Sequence, residues 1–160
     1  MRRLLFAIVA VLASSSLFAE AYLGAGGAIV LPQGGADLRR VGGVSLRGGA
    51  YVSDFAALEG EAAWLEDSVG LAADALVHAQ AWSVYGDLFG YSAFDPFVTV
   101  GARGWLGGRG GGQVGPQAGV GAFYHLDDHW SLRADANATL GLETNVEVLY
   151  AISVGIQFAF

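Results

Sequence analysis

The clearest pattern in the chain is an alternation of large apolar with small or polar side chains, from Val146 to Phe160. Every second position, counted back from the terminus, is apolar: Phe160, Phe158, Ile156, Val154, Ile152, Tyr150 and Val148. The intervening positions are small or polar except for Leu149. A period of two is that of a β-strand, whose successive side chains point to opposite faces. We expect a strand with one wholly apolar face, which would aggregate as an edge in water but is stable in a barrel that closes in lipid.

Shorter stretches repeat this alternation and predict an all-β fold, an eight-stranded antiparallel up-and-down transmembrane β-barrel. In one of them Glu59 and Glu61 share a face opposite Leu58, Ala62 and Trp64. The predicted strands are 22–31, 41–52, 55–66, 75–86, 96–106, 114–125, 130–140 and 146–160. An even number of strands places both ends of the barrel domain on the periplasmic side.

The connections between these strands are predicted to alternate between the two sides of the membrane. The predicted outer connections are 32–40, 67–74, 107–113 and 141–145, and the predicted periplasmic turns are 53–54, 87–95 and 126–129. The fourth strand has the least regular pattern, because His78 and Gln80 share a face with Trp82 and Val84. The face that it turns inward is therefore left open.

Alternation alone does not show which face lines the interior, because a soluble lipocalin-like barrel alternates equally well with its apolar face inward. The polar faces are padded with Gly and Ala, and the narrow interior of eight strands favours such small side chains. Aromatic residues also fall near strand ends on the apolar faces, where membrane barrels carry interfacial girdles. The predicted interfacial aromatics are Trp64, Tyr124, Trp130 and Tyr150, with Phe158 and Phe160 in the last strand.

Composition favours the membrane alternative. Charged residues are 14% of the chain, below the roughly 25% of soluble domains, and the chain contains neither cysteine nor lysine. The net charge of −7 argues against a nucleic-acid partner, since proteins that bind a phosphate backbone carry a basic face.

The N-terminus has the features of a secretory leader, with two arginines before an apolar run from Leu4 to Ala13. We expect residues 1–21 to be a signal peptide and residues 22–160 to form the outer-membrane barrel domain. Cleavage after Ala21 fits the A-x-A rule, and cleavage after Ala19 is the alternative. A membrane anchor is the competing interpretation, but this run would span about 15 Å as a helix, half of the hydrocarbon core.

At this point the chain resembles the small eight-stranded outer-membrane proteins of bacteria, the OmpA transmembrane-domain and OmpX-like superfamily. Ser153, Gly155, Phe158 and Phe160 have the spacing of the signal that those proteins present to the barrel-assembly machinery, and residues 128–135 are similar to their seventh strand and its turn. The resemblance implies a location in the bacterial cell outer membrane, reached through a cleaved signal peptide. It also implies contact with outer-membrane lipids and lipopolysaccharide, dependence on periplasmic chaperones and the assembly machinery, and a monomer.

The charged side chains on the predicted inner faces form the main candidate site. They are Arg47, Glu59, Glu61, Arg103, Arg133, Asp135 and Glu147. Buried charges are tolerated when they are paired, so we expect a self-neutralising network that fills the lumen and holds strand register. The alternative is a narrow ion path, which an eight-stranded barrel allows only if the network rearranges.

One constellation hints at catalysis: His129, Ser131 and Glu143, whose types match a triad. Its spacing resembles that of outer-membrane lipid A deacylases. However, His129 is predicted in a periplasmic turn and Glu143 in an outer connection, a full strand apart, and Ser131 is predicted to point inward. Asp127 and Asp128 next to His129 more simply form a turn than a metal site, because aspartates often bond their own backbone.

We therefore predict a small outer-membrane barrel with a structural or surface-interaction role. It is expected to be non-catalytic, without a cofactor or metal, and to carry solvated arginines in its outer connections: Arg39, Arg40 and Arg109. A lipid A-modifying enzyme and a narrow ion-conducting pore are the alternative functions.

Overall fold

The computed structural model describes residues 20–33, 41–53, 55–66, 68–78, 93–107, 113–142 and 148–160. Eight strands follow one another along the chain: β1 (Ala21–Gln33), β2 (Val41–Ser53), β3 (Ala56–Leu65), β4 (Ser68–His78), β5 (Phe94–Gly107), β6 (Gln113–His125), β7 (Trp130–Leu140) and β8 (Val148–Ala159). Each strand pairs antiparallel with the next, and β8 pairs with β1, so the sheet is a closed barrel. The predicted fold class is confirmed. Within the ranges above, no helix is long and apolar enough to cross a membrane.

The first and last strands close the barrel over their whole length. Their register runs from Tyr22 opposite Ala159 to Gln33 opposite Val148. Closure gives the terminal strands partners on both sides, which removes the exposed edge that the apolar C-terminal strand would otherwise present. We call the end of the barrel that holds Ala21 and Phe160 the terminal end, and the opposite end the loop end.

Seven of the predicted strands agree with the structure to within two residues at each end, but the prediction for the fourth strand was wrong. Residues 75–86 were predicted, whereas β4 covers Ser68–His78. The predicted outer connection at 67–74 is therefore almost entirely strand, and most of the predicted turn at 87–95 belongs to residues outside the described ranges.

The physical reason is Asp74, an acidic residue at the end of the predicted connection that the structure places inside the barrel. In the structure Asp74 is buried inside the barrel, where its Oδ1 accepts a hydrogen bond from the Gln117 Nε2 at 2.5 Å. The structure therefore shows which face of β4 lines the lumen. Asp74, Leu76 and His78 point inward, whereas Leu71 and Val77 point outward.

Large apolar side chains cover the outside of the barrel. Val100, Val120 and Val154 are each more than 60% exposed, and they belong to three different strands. The inward positions of the same strands include buried polar or charged side chains, among them Arg103, Gln117 and Ser153. This distribution is the reverse of that in a soluble barrel, so the lipocalin-like alternative does not fit.

Two apolar clusters fill the ends of the lumen, with polar side chains between them. The cluster at the terminal end contains Tyr22, Ala57, Leu76, Phe97 and Phe123. The cluster at the loop end contains Val30, Ala63, Trp105 and Ala151. Because the interior of an eight-stranded barrel is only as wide as side chains that meet across it, these clusters and the layer between them occupy the lumen.

Candidate functional site

The middle layer of the lumen is organised around three arginines, one each on β2, β5 and β7. Arg133, on β7, is 5% exposed. Its Nε donates to Asp135 Oδ2 at 2.9 Å, and its Nη1 donates to Glu59 Oε2. The guanidinium also lies 4.8 Å from the ring centroid of Phe97 and 5.2 Å from that of Phe123. Arg133 therefore joins the charged layer to the aromatic cluster at the terminal end.

Arg47, on β2, reaches the same aspartate from the other side of the barrel. Its Nη1 donates to Asp135 Oδ2 at 2.5 Å, and its Nη2 donates to Ser153 Oγ on β8. Its Nε lies 3.6 Å from Glu61 Oε2. Asp135 is thus shared by two arginines, and each of these arginines also has a glutamate partner, so the buried charges are paired.

Arg103, on β5, extends the network toward the loop end. Its Nη2 donates to Glu61 Oε2 at 2.6 Å, and its Nε donates to Gln117 Oε1 at 2.9 Å. The Nε2 of the same Gln117 amide donates to Asp74 Oδ1 at 2.5 Å. The Arg103 guanidinium lies 5.2 Å from the Trp105 ring centroid, so this arginine also rests on an aromatic side chain.

Neutral donors add further hydrogen bonds to carboxylate oxygens that the arginines also contact. The Tyr22 hydroxyl donates to Glu59 Oε2 at 2.8 Å, and Asn137 Nδ2 donates to Asp135 Oδ1 at 2.8 Å. Thr99 Oγ1 in turn donates to Asn137 Oδ1 at 2.8 Å. These hydrogen bonds stabilise the buried carboxylates, because an unpaired polar group in a low-dielectric interior is costly.

Six of the seven residues selected from the sequence for the lumen face inward and take part in this network: Arg47, Glu59, Glu61, Arg103, Arg133 and Asp135. Glu147 lies outside the described residues. Sequence reasoning missed Tyr22, Asp74, Thr99, Gln117 and Asn137. Strand parity would have found Thr99 and Asn137, since each lies four residues from a selected arginine on the same strand, Arg103 or Arg133.

A second buried polar pair lies among the aromatic rings at the terminal end. His78 Nδ1 is 2.6 Å from Asp95 Oδ2, and the His78 side chain is 2% exposed. The His78 ring stacks on Phe123 at a centroid distance of 5.6 Å. With Asp95, the described residues bury five carboxylates, Glu59, Glu61, Asp74, Asp95 and Asp135, against three arginines.

The residues of the suggested triad are not brought together in the described part of the chain. Ser131 points into the lumen, is 6% exposed, and has its Oγ 2.8 Å from His125 Nδ1 across the β6–β7 hairpin. His129 is exposed in the turn, where its ring stacks on Phe158 at 5.7 Å. Glu143 lies outside the described residues. His125, which the sequence analysis did not select, is the histidine that contacts Ser131.

The turn between β6 and β7 is held by Asp127. Its Oδ1 accepts hydrogen bonds from the backbone N–H groups of His129 and Trp130, each at 2.8 Å. These two bonds lower the pKa of the Asp127 carboxyl below its ordinary value, because they favour its charged form. This is the backbone-bonded turn expected for this sequence, and among the described residues no group of three or more acidic, histidine or cysteine side chains is placed to hold a metal ion.

The residues of the suggested assembly signal have different environments. Ser153 faces the lumen and accepts from Arg47, and Gly155 lies opposite Gly26 at the β1–β8 seam. Phe158 is partly buried against Trp130, with ring centroids 4.8 Å apart, whereas Phe160 is 59% exposed.

The four suggested interfacial aromatics all lie on the outer surface, in two groups. Tyr124 and Trp130 are at the terminal end, and Trp64 and Tyr150 are at the loop end. A pair of such groups is the arrangement of the aromatic girdles of membrane barrels.

Replacing Phe160 with alanine is expected to lower the yield of folded barrel in membranes while leaving the stability of the folded fraction nearly unchanged. The backbone N–H of residue 160, which donates to Ala21, is retained, so the substitution removes only the exposed aromatic ring. Semi-native electrophoresis of membrane fractions measures the yield. Phe55→Ala, which removes another exposed aromatic ring, from the β2–β3 turn, is the control. A yield equal to that of the control would contradict an assembly role.

The glycines of the β1–β8 seam leave a small cavity beside the charged layer. It has a volume of about 10 Å³ and is bordered by Gly24, Gly26, Gly155, Arg47 and Arg133. A space of this size holds about one water molecule. It is far smaller than the pockets of hundreds of Å³ that take small organic ligands.

Comparison with known proteins finds similarity at the level of the fold. No family model matches the chain, and no curated protein matches it in sequence. The β-barrel domain of Pseudomonas aeruginosa OprF is 17% identical over 88% of this chain and 97% of that one, with a TM-score of 0.60. Neisserial surface protein A is 14% identical over 88% of this chain and 97% of that one, with a TM-score of 0.63.

A third similar structure carries a bound ligand. It is Ail, the attachment invasion locus protein of Yersinia pestis, in complex with the heparin analogue sucrose octasulfate. This protein is 13% identical over 88% of this chain and 98% of that one, with a TM-score of 0.57. Closed topology, an apolar exterior and these similarities together give the chain the fold of the small eight-stranded outer-membrane β-barrels.

Proposed function

We propose that the protein is a non-catalytic barrel of the bacterial outer membrane that has a structural or surface-interaction role. The observation that carries this proposal is the combination of an apolar outer surface with a lumen filled by a connected network of ion pairs. The outer surface suits a lipid environment. The filled lumen suits a rigid support for the connections at the loop end.

The partners follow from this location. Outer-membrane lipids would contact the apolar surface, and lipopolysaccharide would meet the loop end. The heparin analogue bound by Ail is a polyanion, as are the head groups of lipopolysaccharide, and Arg39, Arg40 and Arg109 would supply the matching charge here. These arginines belong to connections outside the described residues. Insertion would depend on the barrel-assembly machinery and periplasmic chaperones, and the barrel would act as a monomer.

Cell fractionation combined with a heat-modifiability gel tests the location and the closed barrel together. We expect a detergent-dependent band in the outer-membrane fraction that changes its mobility on boiling, because a closed barrel resists unfolding by detergent at room temperature. A protein recovered in the periplasmic fraction without detergent, with no mobility change, would contradict the proposal. Lysates of cells that lack the gene provide the background.

A narrow cation-selective path is the second candidate, and the excess of buried carboxylates over arginines favours it. Carboxylates attract cations and repel anions at short range. Planar bilayer recordings separate the two functions. A structural barrel gives no discrete conductance steps at neutral pH. A cation-selective path gives conductance steps, and in a salt gradient its current reverses near the equilibrium potential of the cation.

A lipid-modifying enzyme is not favoured by the surroundings of Ser131. Its hydroxyl faces the lumen rather than the lipid, and it is occupied by His125. Overexpression is therefore expected to leave lipid A unchanged by mass spectrometry. A change in lipid A that Ser131→Ala abolishes would overturn the non-catalytic assignment.

A further inference from the structure

A buried histidine–aspartate pair fastens the end of β4 to the start of β5 at the terminal end of the barrel. His78 is the last residue of β4, and its Nδ1 is 2.6 Å from Asp95 Oδ2 on β5. The two side chains are 2% and 7% exposed. The backbone N–H of His78 also donates to the carbonyl of Phe55, in the β2–β3 turn, at 2.8 Å. His78 therefore holds three parts of the terminal end together.

Among the described residues, the charge of Asp95 is balanced by His78 alone. The three arginines of the middle layer pair with Glu59, Glu61 and Asp135, so that three positive charges meet three negative ones. Neither Asp95 Oδ1 nor His78 Nε2 has a hydrogen-bond partner in the described part of the chain. Because a buried carboxylate without a counter-charge is unfavourable, Asp95 favours a protonated His78.

The aromatic rings around His78 also favour its charged form. The ring of Phe123 stacks on His78 at a centroid distance of 5.6 Å, and the centroids of Tyr51 and Phe97 lie 5.3 Å and 5.9 Å away. Cations are attracted to aromatic rings within about 6 Å. Arg133 rests on two of the same rings, but its charge is already paired with two carboxylates.

From this geometry we propose that the His78–Asp95 pair is a pH-sensitive latch that closes the terminal end of the lumen. While the pair holds one proton it has no net charge, and the end of β4 stays fastened to β5. When rising pH removes that proton to solvent, the Asp95 carboxylate is left buried beside a neutral imidazole. Histidine ordinarily changes its charge between about pH 5 and pH 8. The latch therefore holds in mild acid and weakens in mild alkali.

The other titratable or charged groups around this pair come from the neighbouring strands. They are Tyr22 on β1, Tyr51 on β2, Glu59 on β3, His125 on β6 and Arg133 on β7, with Glu20 just before β1. On β4 itself the nearest is Asp74, beyond Leu76, and β8 contributes only the uncharged Ala159. Tyrosine and arginine ordinarily change charge above about pH 9, and aspartate and glutamate below about pH 5. His125 is therefore the group that the experiment must separate from His78.

Urea unfolding in lipid vesicles at about pH 5.5 and about pH 8.5, on either side of the usual range of histidine, tests the latch. The unmodified barrel is expected to have the lower urea midpoint in alkali. Asp95→Asn keeps an acceptor for the His78 ring but removes the carboxylate. It is therefore expected to lower the midpoint in acid, and to leave the barrel at least as stable as the unmodified one in alkali, where no carboxylate is stranded.

Three results would overturn the latch. One is an unmodified barrel with the same midpoint at both pH values. Another is an Asp95→Asn variant that loses as much stability in alkali as in acid, or loses none in acid. The third concerns His125→Gln, which removes the other histidine near the cluster and is expected to keep the pH dependence. Loss of that dependence would make His125 the sensor.

Nitrogen NMR of histidine gives a readout that does not require Asp95→Asn to fold. The chain has three histidines, so a variant with both His125→Gln and His129→Gln retains the signal of His78 alone. That signal is expected to shift between the two pH values as the proton leaves, and an unchanged signal would contradict the latch. Both measurements need only the closed barrel, which the heat-modifiability gel tests separately from the proposed surface role.

Discussion

Replacing Arg133 with alanine is expected to lower the free energy of unfolding of the barrel by about 3–5 kcal/mol, the usual cost of leaving one partner of a buried ion pair alone. Arg133 is the only arginine that pairs with Glu59 among the described residues, whereas Asp135 keeps Arg47. The variant therefore leaves the Glu59 carboxylate buried without a counter-charge. It also removes the cation that rests on Phe97 and Phe123. Urea unfolding in lipid vesicles, followed by tryptophan fluorescence, measures the change.

A double variant identifies the stranded charge as the cause. Adding Glu59→Gln to Arg133→Ala removes the unpaired carboxylate but keeps an acceptor for the Tyr22 hydroxyl, so most of the lost stability should return. Glu66→Ala, at an exposed position after β3, is the control for loss of a surface charge and should change stability by less than about 0.5 kcal/mol. Equal unfolding midpoints for Arg133→Ala and Glu66→Ala would contradict the structural role of the network.

Substituting Gly26 with alanine is expected to destabilise the closed barrel by about 2–3 kcal/mol, as overpacking of a tight contact does. Gly26 lies opposite Gly155 at the seam. A β-carbon on Gly26 would lie 2.5 Å from the Val154 carbonyl oxygen and 2.9 Å from the Gly155 Cα. Both atoms are backbone, so the two strands would have to separate and weaken the hydrogen bonds that close the barrel.

The neighbouring glycine is a matched control on the same strand. Gly27 faces outward, and the nearest atom to an added β-carbon is the Gly43 carbonyl oxygen at 3.9 Å. Gly27→Ala is therefore expected to be neutral or slightly stabilising, because alanine restricts the unfolded chain more than glycine does. The temperature at which the folded gel band disappears measures both variants. If both lose the same amount of stability, strand propensity rather than the seam contact explains the loss.

The seam also gives Gly155 a structural role beside the one that the C-terminal spacing suggests. A β-carbon there would lie 2.5 Å from the Ala25 carbonyl oxygen. The same glycine can therefore be needed for the shape of the finished barrel, independently of any recognition during assembly. Comparing Gly26→Ala with Gly155→Ala distinguishes the two roles, since only the second also changes a residue of the suggested assembly signal.

The alternation of side chains predicted the strands and the residues that share a face, because a period of two is a local property of each strand. The small residues on the polar faces and the low content of charged residues then indicated that the apolar face points outward and the arginines point inward. The alternation could not place β4, since the buried Asp74 is stabilised by Gln117, 43 residues further along the chain. Nor could it pair the charges: Arg47 contacts Asp135 across 88 residues, and Arg133 contacts Glu59 across 74. Which inward side chains meet depends on the tilt and register of all eight strands after closure. The close approach of Gly26 to Gly155, and the choice of His125 rather than His129 as the neighbour of Ser131, arise in the same way from the tertiary structure.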